Sequence, residues 1–256
     1  MPSDIPSNRR ASILARLSAG QQVRSGALAE EFGLSEDAIR RDLRSLAAEG
    51  LCRRVYGGAL PLTQDSVPIA QRFEEGMSRK RGLASMAITL IEAGTTIFLD
   101  HGSTNLAVAA SLPHDRDLSV ATVSIAVAAL LVERDDIDLV MVGGAVDRVI
   151  GGAVDGTALE AVARLNIDLC VLGACALSAR GGVSAFEAAD AAFKRALLAR
   201  SSRTILLATN DKLGQRAPQR IAAVDAIDQI ILEHDAPVDA EHELASVGAT
   251  IVRATA

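Results

Sequence analysis

Residues 33–51 read GLSEDAIRRDLRSLAAEGL, and this stretch predicts a short amphipathic helix with a basic outer face. Ser35 is a good N-cap, because its hydroxyl can accept a hydrogen bond from an amide of the first turn. One apolar face is predicted by residues at i, i+4 and i+7, namely Ile39, Leu43 and Leu46. The arginines off that face are Arg40, Arg41 and Arg44. Arginines on a helix are most often only a solvated face, but this pattern also suits a helix that enters a DNA major groove.

The neighbouring residues favour the DNA-binding interpretation. Ser25 is a candidate N-cap for a preceding helix, and Gly33–Ser35 has the length of a helix-turn-helix connection. An earlier amphipathic helix is indicated by Ile13, Leu14 and Leu17. The run 51–60, LCRRVYGGAL, is apolar and basic up to Gly57 and Gly58 and predicts a β-wing, so the whole is typical of a winged helix-turn-helix. The residues expected at the DNA are Ser35, Arg40, Arg41, Arg44, Arg53, Arg54 and Tyr56.

The charge distribution bears on this prediction. The 256-residue chain has a formal net charge of −6, which by itself argues against nucleic acid. Residues 1–60 nevertheless carry nine arginines and seven acidic residues, for +2, while the remainder carries −8. Because phosphate contacts supply much of the affinity for DNA, a module so weakly basic needs pairing within a homo-oligomer, a dimer or a tetramer.

Composition argues against several other classes of protein. The amino-terminal residues are polar, and no apolar run approaches the ~20 residues that span a bilayer. The three cysteines and four histidines lack zinc spacing. We therefore expect a cytoplasmic protein without a metal ion, a cofactor or a membrane partner.

The chain beyond the wing changes character. Residues 61–79 contain two prolines and little periodicity, which is typical of a linker between residues 1–60 and a second domain, 80–256. In that domain apolar strand-like runs alternate with helical stripes. Continuous apolar strands between helices predict an open, largely parallel α/β sheet covered on both faces.

Ligands of such sheets bind beyond the carboxyl ends of the strands, so the polar residues at those ends are candidates. The first set follows the run 95–100 and consists of Asp100, Gly102, Ser103 and Thr104. Here a glycine allows close approach, and hydroxyls and amides at a helix start can hold a phosphate. A capped turn without a ligand is the equally acceptable alternative.

Further candidates lie at other strand ends. Gly143 and Gly144 close one strand, and Lys212 follows another. Glu187 and Asp190 are three residues apart at a helix start, with Lys194 one turn beyond Asp190. The charged residues of this helix can also be explained as intrahelical pairs. A phosphate seat, carboxylates for hydroxyls and a lysine together indicate a phosphorylated sugar or polyol.

At this point the chain resembles DeoR-type transcriptional regulators over nearly its full length. The DNA-binding pattern of that family is approximated by LSEDAIRRDLRSLAAEGLCRRVYGGA (34–59). The sensor pattern is approximated by FLDHGST (98–104), VGGAV (142–146), DLCVLGA (168–174), GGVSAFEAADAAFKRALL (181–198) and LLATNDKLG (206–214). The resemblance implies a repressor, less often an activator, of a carbohydrate catabolic operon. It also implies a sensor with the fold of ribose-phosphate isomerases and CoA transferases. By position the effector pocket would comprise Asp100, Gly102, Ser103, Thr104, Glu187, Asp190, Lys194 and Lys212.

The chain departs from the family pattern at several positions. Asp37 or Ala38 stands where the family usually has a threonine, and Thr122–Ser124 lacks the asparagine of the usual Thr-Asn-Ser. The Asp-Ser-Ser-Lys-Phe-Gly motif appears as Thr209–Gly214, and Glu187 and Asp190 look like the usual acids exchanged.

Two other classes of function remain open. The first is a sugar-phosphate isomerase-like enzyme with an appended helical module, in which Glu187 or Asp190 would act as general base. The second is a scaffold that dimerises through its apolar helices, which leaves the arginine face and the polar strand ends unexplained.

Overall fold

A computed structural model describes residues 6–18, 23–49, 51–55, 57–61, 76–173 and 175–255. The chain divides into two compact units, Met1–Pro68 and Ile69–Ala256. Most of the predicted linker lies outside the described residues, so the boundaries at 60 and 80 stay a prediction. The first described helix of the second unit begins at Met77, three residues before the predicted start of that domain.

The described residues of the first unit form three helices and a small antiparallel sheet. Its helices are α1 Pro6–Ser18, α2 Ser25–Phe32 and α3 Glu36–Ala48. Its strands are β1 Val23–Arg24, β2 Cys52–Val55 and β3 Gly58–Pro61. The strand order is β1-β3-β2, with β3 antiparallel to both neighbours. The predicted winged helix-turn-helix is confirmed.

Apolar faces of all three helices meet in the core of this unit. Ile13, Leu28 and Leu43 each have at most 2% of their surface exposed. The predicted cap of α3 is confirmed, since Ser35 Oγ accepts a hydrogen bond from the Ala38 amide at 3.3 Å. The predicted cap of α2 is wrong. Ser25 is the first residue of that helix, buried, and its amide donates to the Gly57 carbonyl because β1 leads directly into the helix.

The second unit is an α/β domain. Its helices are α4 Met77–Ile88, α5 Ser103–Ser111, α6 Ile125–Leu131, α7 Gly156–Val162, α8 Ala188–Arg200 and α9 Val238–Ser246. The strands of its main sheet are β4 Thr96–Leu99, β5 Leu118–Thr122, β6 Ile137–Met141, β9 Ile167–Gly173, β12 Ser201–Ala208, β14 Gln229–Leu232 and β15 Ile251–Arg253.

The main sheet confirms the predicted fold class. Its order is β15-β14-β12-β9-β4-β5-β6, and every neighbouring pair is parallel. Helices cover both faces because side chains alternate along each strand. On β4, Phe98 packs with α8 on one face, whereas Ile97 and Leu99 pack with α4 and α5 on the other. The carboxyl ends of all seven strands therefore share one edge, where ligands of such sheets bind.

Two small antiparallel sheets were not predicted. The strands of one are β7 Val146–Asp147 and β8 Gly152–Ala153, and those of the other are β10 Ala176–Ser178, β11 Gly182–Ala185 and β13 Gln219–Ala222. Strands of two to four residues are too short to show an alternation of apolar and polar side chains. Among the described helices, none is both long and apolar enough to cross a membrane. The described residues also contain no group of three or more His, Cys, Asp or Glu side chains placed to hold a metal ion.

Candidate functional site

The exposed side of α3 is the candidate DNA-binding face of the first unit. Ile39, Leu43 and Leu46 are buried on the inner side of the helix. Residues three and four apart share a helix face, so the outer side carries one stripe of exposed residues: Asp37, Arg40, Arg41 and Arg44. The arginine face predicted from the sequence is therefore present and open.

Arg40 is partly held by acids of its own helix. Its guanidinium lies 2.6 Å from Glu36 Oε2 and 3.3 Å from Asp37 Oδ1, yet half of the side chain remains exposed. Exposed i,i+4 pairs of this kind contribute only about 0.3–0.5 kcal/mol. The pairs therefore orient Arg40 without preventing it from contacting a phosphate.

The arginines of α1 have a different use. Arg9 Nε donates to Asp42 Oδ2 at 2.6 Å in a largely buried pair, and Arg10 pairs with Glu49 at 2.6 Å. These pairs fasten α1 to α3, so both guanidinium groups are already engaged within the unit. Among the described residues of the unit, the arginine side chains with neither an ion pair nor a side-chain acceptor are Arg24, Arg41 and Arg44. Arg24 was not predicted as a DNA-binding residue, because a single arginine before a helix forms no recognisable sequence pattern.

The wing positions are only partly described. Arg53 and Arg54 lie on β2, which pairs with β3, but their side chains are outside the described residues. Tyr56 itself lies outside the described residues. Their contact with DNA stays a prediction.

In the second unit, four polar side chains from two elements meet beyond the end of β4. They are Asp100, His101, Asp190 and Lys194, here called the buried ionic cluster. Lys194 Nζ lies 2.5 Å from Asp100 Oδ2 and 3.2 Å from Asp190 Oδ1. The lysine side chain is 1% exposed and that of Asp100 is fully buried. The chain thus brings together three predicted residues, Asp100, Asp190 and Lys194.

Hydrogen bonds fix the orientation of this cluster. Asp100 Oδ1 accepts from the His101 amide at 2.8 Å, and Asp100 Oδ2 accepts from the Gly173 amide at 3.0 Å. His101 Nε2 lies 2.7 Å from Asp190 Oδ1 and 3.0 Å from Lys194 Nζ. The cluster therefore ties the ends of β4 and β9 to the first turns of α8.

The charges of the cluster support one another. Burial alone would lower the pKa of Lys194, but the carboxylates of Asp100 and Asp190 outweigh it and raise the pKa above its ordinary value. Burial alone would raise the pKa of Asp190, but Lys194 and His101 hold it below the ordinary value. The lysine is thus kept as an ammonium whose charge is used internally.

The start of α5 has the features of an anion seat. Gly102 precedes the helix with φ +115°, a conformation that favours glycine, and no side chain caps the helix there. Ser103 and Thr104 form the first turn and are buried. Unpaired amides at a helix start favour an anion. This part of the site can therefore hold a phosphate or carboxylate.

Other predicted residues are not members of the cluster. A Cβ at Gly144 would lie 2.2 Å from Asp155 Oδ1, the acid that caps α7, so the absence of a side chain there has a structural explanation. A Cβ at Gly143 would meet no atom of the described residues within 4 Å, so that explanation does not extend to it. Glu187 is exposed at the N-cap of α8. Lys212 is half-buried in a 3-10 turn, and no hydrogen bond or ion pair between described residues joins its ammonium to the cluster.

Two polar residues in or beside the cluster were not among the predicted site residues. His101 is only 8% exposed and belongs to the cluster. Asn105, in the first turn of α5, is 1% exposed. Both residues follow a buried strand, which could have marked them as candidates for the site. Polar residues at such positions, however, form turns as often as they bind ligands.

These features define a class of protein: a regulator with one DNA-binding unit and one ligand-sensing unit. Comparison with protein families agrees. Residues 9–65 match the DeoR-like helix-turn-helix domain, and residues 75–234 match the DeoR C-terminal sensor domain. The chain belongs to the DeoR family of transcriptional regulators, and the resemblance noted in its sequence is confirmed.

Named relatives extend over most of the chain. The HTH-type transcriptional regulator GlpR of Haloferax volcanii is 30% identical over 97% of this chain and 98% of its own length. The glycerol-3-phosphate regulon repressor of Escherichia coli is 28% identical over 82% of this chain and 84% of its own length. A solved ribose-5-phosphate isomerase in complex with phospho-erythronic acid covers 53% of both chains with 19% identity and a TM-score of 0.38. An overlap this limited says nothing about activity.

Proposed function

We propose that this chain represses an operon for the catabolism of a carbohydrate or polyol, and that a phosphorylated sugar or polyol controls its binding to a double-stranded DNA operator. One observation carries the proposal. An open arginine face on α3 occurs in the same chain as a separate α/β unit whose polar side chains converge at the carboxyl ends of its strands. We place the protein in the cytoplasm, where its operator is.

The DNA contacts we assign are those of α3 and the wing. Arg41 and Arg44 are exposed on the outer stripe of α3, and arginine either reads guanine bidentately or clamps phosphate. Ser35 orients the start of the helix through its cap. The wing would add contacts from Arg53, Arg54 and Tyr56.

The effector site we assign begins at α5. Ser103 and Thr104 with the uncapped amides of the first turn would hold the phosphate, and Lys212 would approach from the same sheet edge. The effector must bind one conformation or assembly of the protein more tightly than the other, because only differential affinity shifts the operator equilibrium.

A homo-oligomer is part of the proposal. Exposed apolar side chains gather at the β6 end of the main sheet and on α6: Ile125, Leu130, Val132, Val140, Met141, Val146 and Val149. β6 ends the main sheet, and an exposed edge strand can pair with a second copy of itself. Pairing of this kind would present two weakly basic DNA-binding units to one operator.

The test couples DNA binding to ligand binding in the full chain. Fragments of the source genome are selected for binding, and the tightest is measured by fluorescence anisotropy with and without a panel of sugar and polyol phosphates. The name of the Escherichia coli relative makes sn-glycerol 3-phosphate the first compound to try. A ligand at 100 times its Kd should stabilise the protein by ~2.7 kcal/mol if it binds only the folded state. It should also change operator affinity.

The control is the unphosphorylated sugar or polyol at the same concentration. Selection that yields no preferred DNA at physiological salt would refute the regulator assignment. Preferred DNA without any response to the phosphates would refute the effector class alone.

A sugar-phosphate isomerase-like enzyme is the alternative, because carboxylates, an imidazole and an ammonium lie together. A general base must reach a substrate carbon, and the two candidates differ. Asp190 is only 3% exposed, whereas Glu187 is exposed at the N-cap of α8 and is not a member of the cluster. Turnover of ribose 5-phosphate or related phosphates by the full chain would establish this alternative.

A further inference from the structure

Asn105 is a buried amide without a partner. The residue is 1% exposed, and neither its Nδ2 nor its Oδ1 atom has a hydrogen-bond partner. Leaving buried polar atoms unpaired is unfavourable for folding. An apolar side chain of similar size would satisfy the packing at this place in α5 without that cost. The presence of an amide here therefore calls for a purpose other than packing.

Asn105 lies close to the end of β9 and to the cluster. A Cβ added at Gly173 would lie 3.4 Å from Asn105 Nδ2, 3.4 Å from Asp100 Oδ2 and 3.1 Å from the His101 carbonyl oxygen. These three polar groups thus converge on the end of β9. The absence of a side chain at Gly173 is what lets them approach one another.

His101 adds a second unpaired atom. Its Nε2 lies between Asp190 Oδ1 at 2.7 Å and the Lys194 ammonium at 3.0 Å, so it either donates to the carboxylate or accepts from the ammonium. Its Nδ1 atom is buried and has no partner. Nδ1 accepts a hydrogen bond in the first arrangement and donates one in the second. The Asn105 amide offers one donor group and one acceptor, and His101 Nδ1 adds an atom that a hydroxyl can pair with in either arrangement.

The ionic cluster is unsuited to hold a phosphate. Lys194 has its ammonium within 3.2 Å of both Asp100 and Asp190, and its side chain is 1% exposed. Its positive charge is therefore neutralised by the two carboxylates, and a phosphate placed beside these carboxylates would be repelled. A hydroxyl group both donates and accepts, so neighbouring hydroxyls match the unpaired atoms.

We propose that Asn105 and His101 Nδ1 form a hydroxyl-reading subsite for a polyol or sugar, next to the phosphate seat at the start of α5. The assignment rests on the proposed function. Because these atoms are closed off from solvent, the ligand reaches them only when the contact between α5 and the end of β9 opens. Binding there consequently favours an opened arrangement over the closed one, which is the differential affinity that a regulator needs.

The first test compares ligands that differ by one hydroxyl. The first pair is sn-glycerol 3-phosphate and 3-hydroxypropyl phosphate, which lacks the central hydroxyl, followed by pentose and hexose phosphates with their deoxy counterparts. We expect the wild-type full chain to prefer the hydroxylated member by ~10-fold or more in Kd. Asn105→Leu should bind both members within about twofold of each other.

The second test needs no ligand. Asn105→Leu should raise the melting temperature of the ligand-free protein by roughly 2–4 °C, because it removes unpaired polar atoms from a buried place. Ser111→Ala is the matched control on α5. Its hydroxyl is already paired with the Ala107 carbonyl at 2.9 Å, so its loss should not stabilise the protein or alter ligand preference.

The outcomes separate this inference from the proposed function. A lower melting temperature for Asn105→Leu, or an unchanged preference between the paired ligands, would overturn the subsite and leave the regulator assignment intact. A wild-type chain that binds operator DNA but none of the phosphates would overturn the proposed effector class, and the subsite with it.

Discussion

Lys194 illustrates the energetic cost of burying charged side chains in the sensor unit. Its ammonium is buried against two carboxylates, and removing such charges from water costs several kcal/mol per ion before their attraction repays it. An apolar trio of similar volume would be at least as stable. The cluster is thus better explained by position, since it fixes the ends of β4 and β9 against α8.

Replacing Lys194 should destabilise the folded protein strongly. In Lys194→Met, Asp100 and Asp190 would remain buried without their cation, and we expect a loss of about 3–5 kcal/mol in the free energy of unfolding. Urea denaturation followed by circular dichroism measures the change.

The neighbouring residue provides the control. Arg195 is exposed and donates to the Arg220 carbonyl at 2.6 Å, so Arg195→Met should cost less than about 1 kcal/mol. Equal urea midpoints for Lys194→Met and wild type would show that the cluster does not contribute to the free energy of unfolding.

Residue types predicted this site only in part. Asp100 was a candidate because it directly follows a buried strand, and Asp190 and Lys194 were candidates because they lie one turn apart at the start of a helix. Histidine and asparagine at such places usually form turns, so His101 and Asn105 were passed over. Whether their atoms have partners depends on contacts between residues far apart in the chain, which no local pattern contains.

At the scale of the element, α3 is the part whose behaviour is most directly testable. Its inner face is buried and its outer face presents Arg41. Within the part of the chain that the structure describes, the hydrogen bond of the Arg41 side chain is a long contact of 3.4 Å from Nε to the Asp37 carbonyl. A side chain held so weakly is available to DNA.

Arg41→Ala should weaken binding to the selected operator. If Arg41 contacts phosphate, the slope of log K against log salt should decrease by about 1, whereas a base contact should relax specificity at one position by ~1–3 kcal/mol. Anisotropy titrations at several salt concentrations distinguish the two.

Arg10→Ala is the comparison variant, because Arg10 is partly exposed on α1 and paired with Glu49. It should leave the salt slope unchanged. Identical operator affinities for Arg41→Ala and wild type would remove α3 from the interface.

Helices were predictable at this scale wherever the apolar period was long. The stripe of Ile39, Leu43 and Leu46 identified α3 correctly. The cap at Ser25 was assigned wrongly because an extended residue, Arg24, pairs with β3 and enters α2 without a turn. Short strands such as β7 and β8 exist only because a partner strand lies beside them.

At the scale of the whole molecule, the open edge of the sheet has consequences for assembly. β6 has Val140 and Met141 exposed by 44% and 42%, and a charged side chain on an edge strand discourages pairing. Val140→Lys should therefore shift the protein towards the monomer and weaken operator binding together. Sedimentation velocity measures the first effect and anisotropy the second.

Val247→Lys is the matched control. Val247 is exposed by 41% at the end of α9, beside the opposite end of the sheet. An oligomer that persists in Val140→Lys would place the interface elsewhere.

The predicted architecture was correct because apolar strands alternating with helices admit few arrangements. The order of the strands was not predictable, since β9 inserts between β4 and β12 through contacts across more than seventy residues.

Asp100 and Lys194 are separated by 94 positions in the chain. At a synthesis rate of 5–20 residues per second, the ribosome needs roughly 5–20 s to synthesise the residues between them. During that interval the aspartate has no lysine to join it and has to stay hydrated, so the sensor cannot close around it early. A truncated product that stops before α8 should consequently never acquire the means to detect a metabolite, even though its amino-terminal unit is already complete.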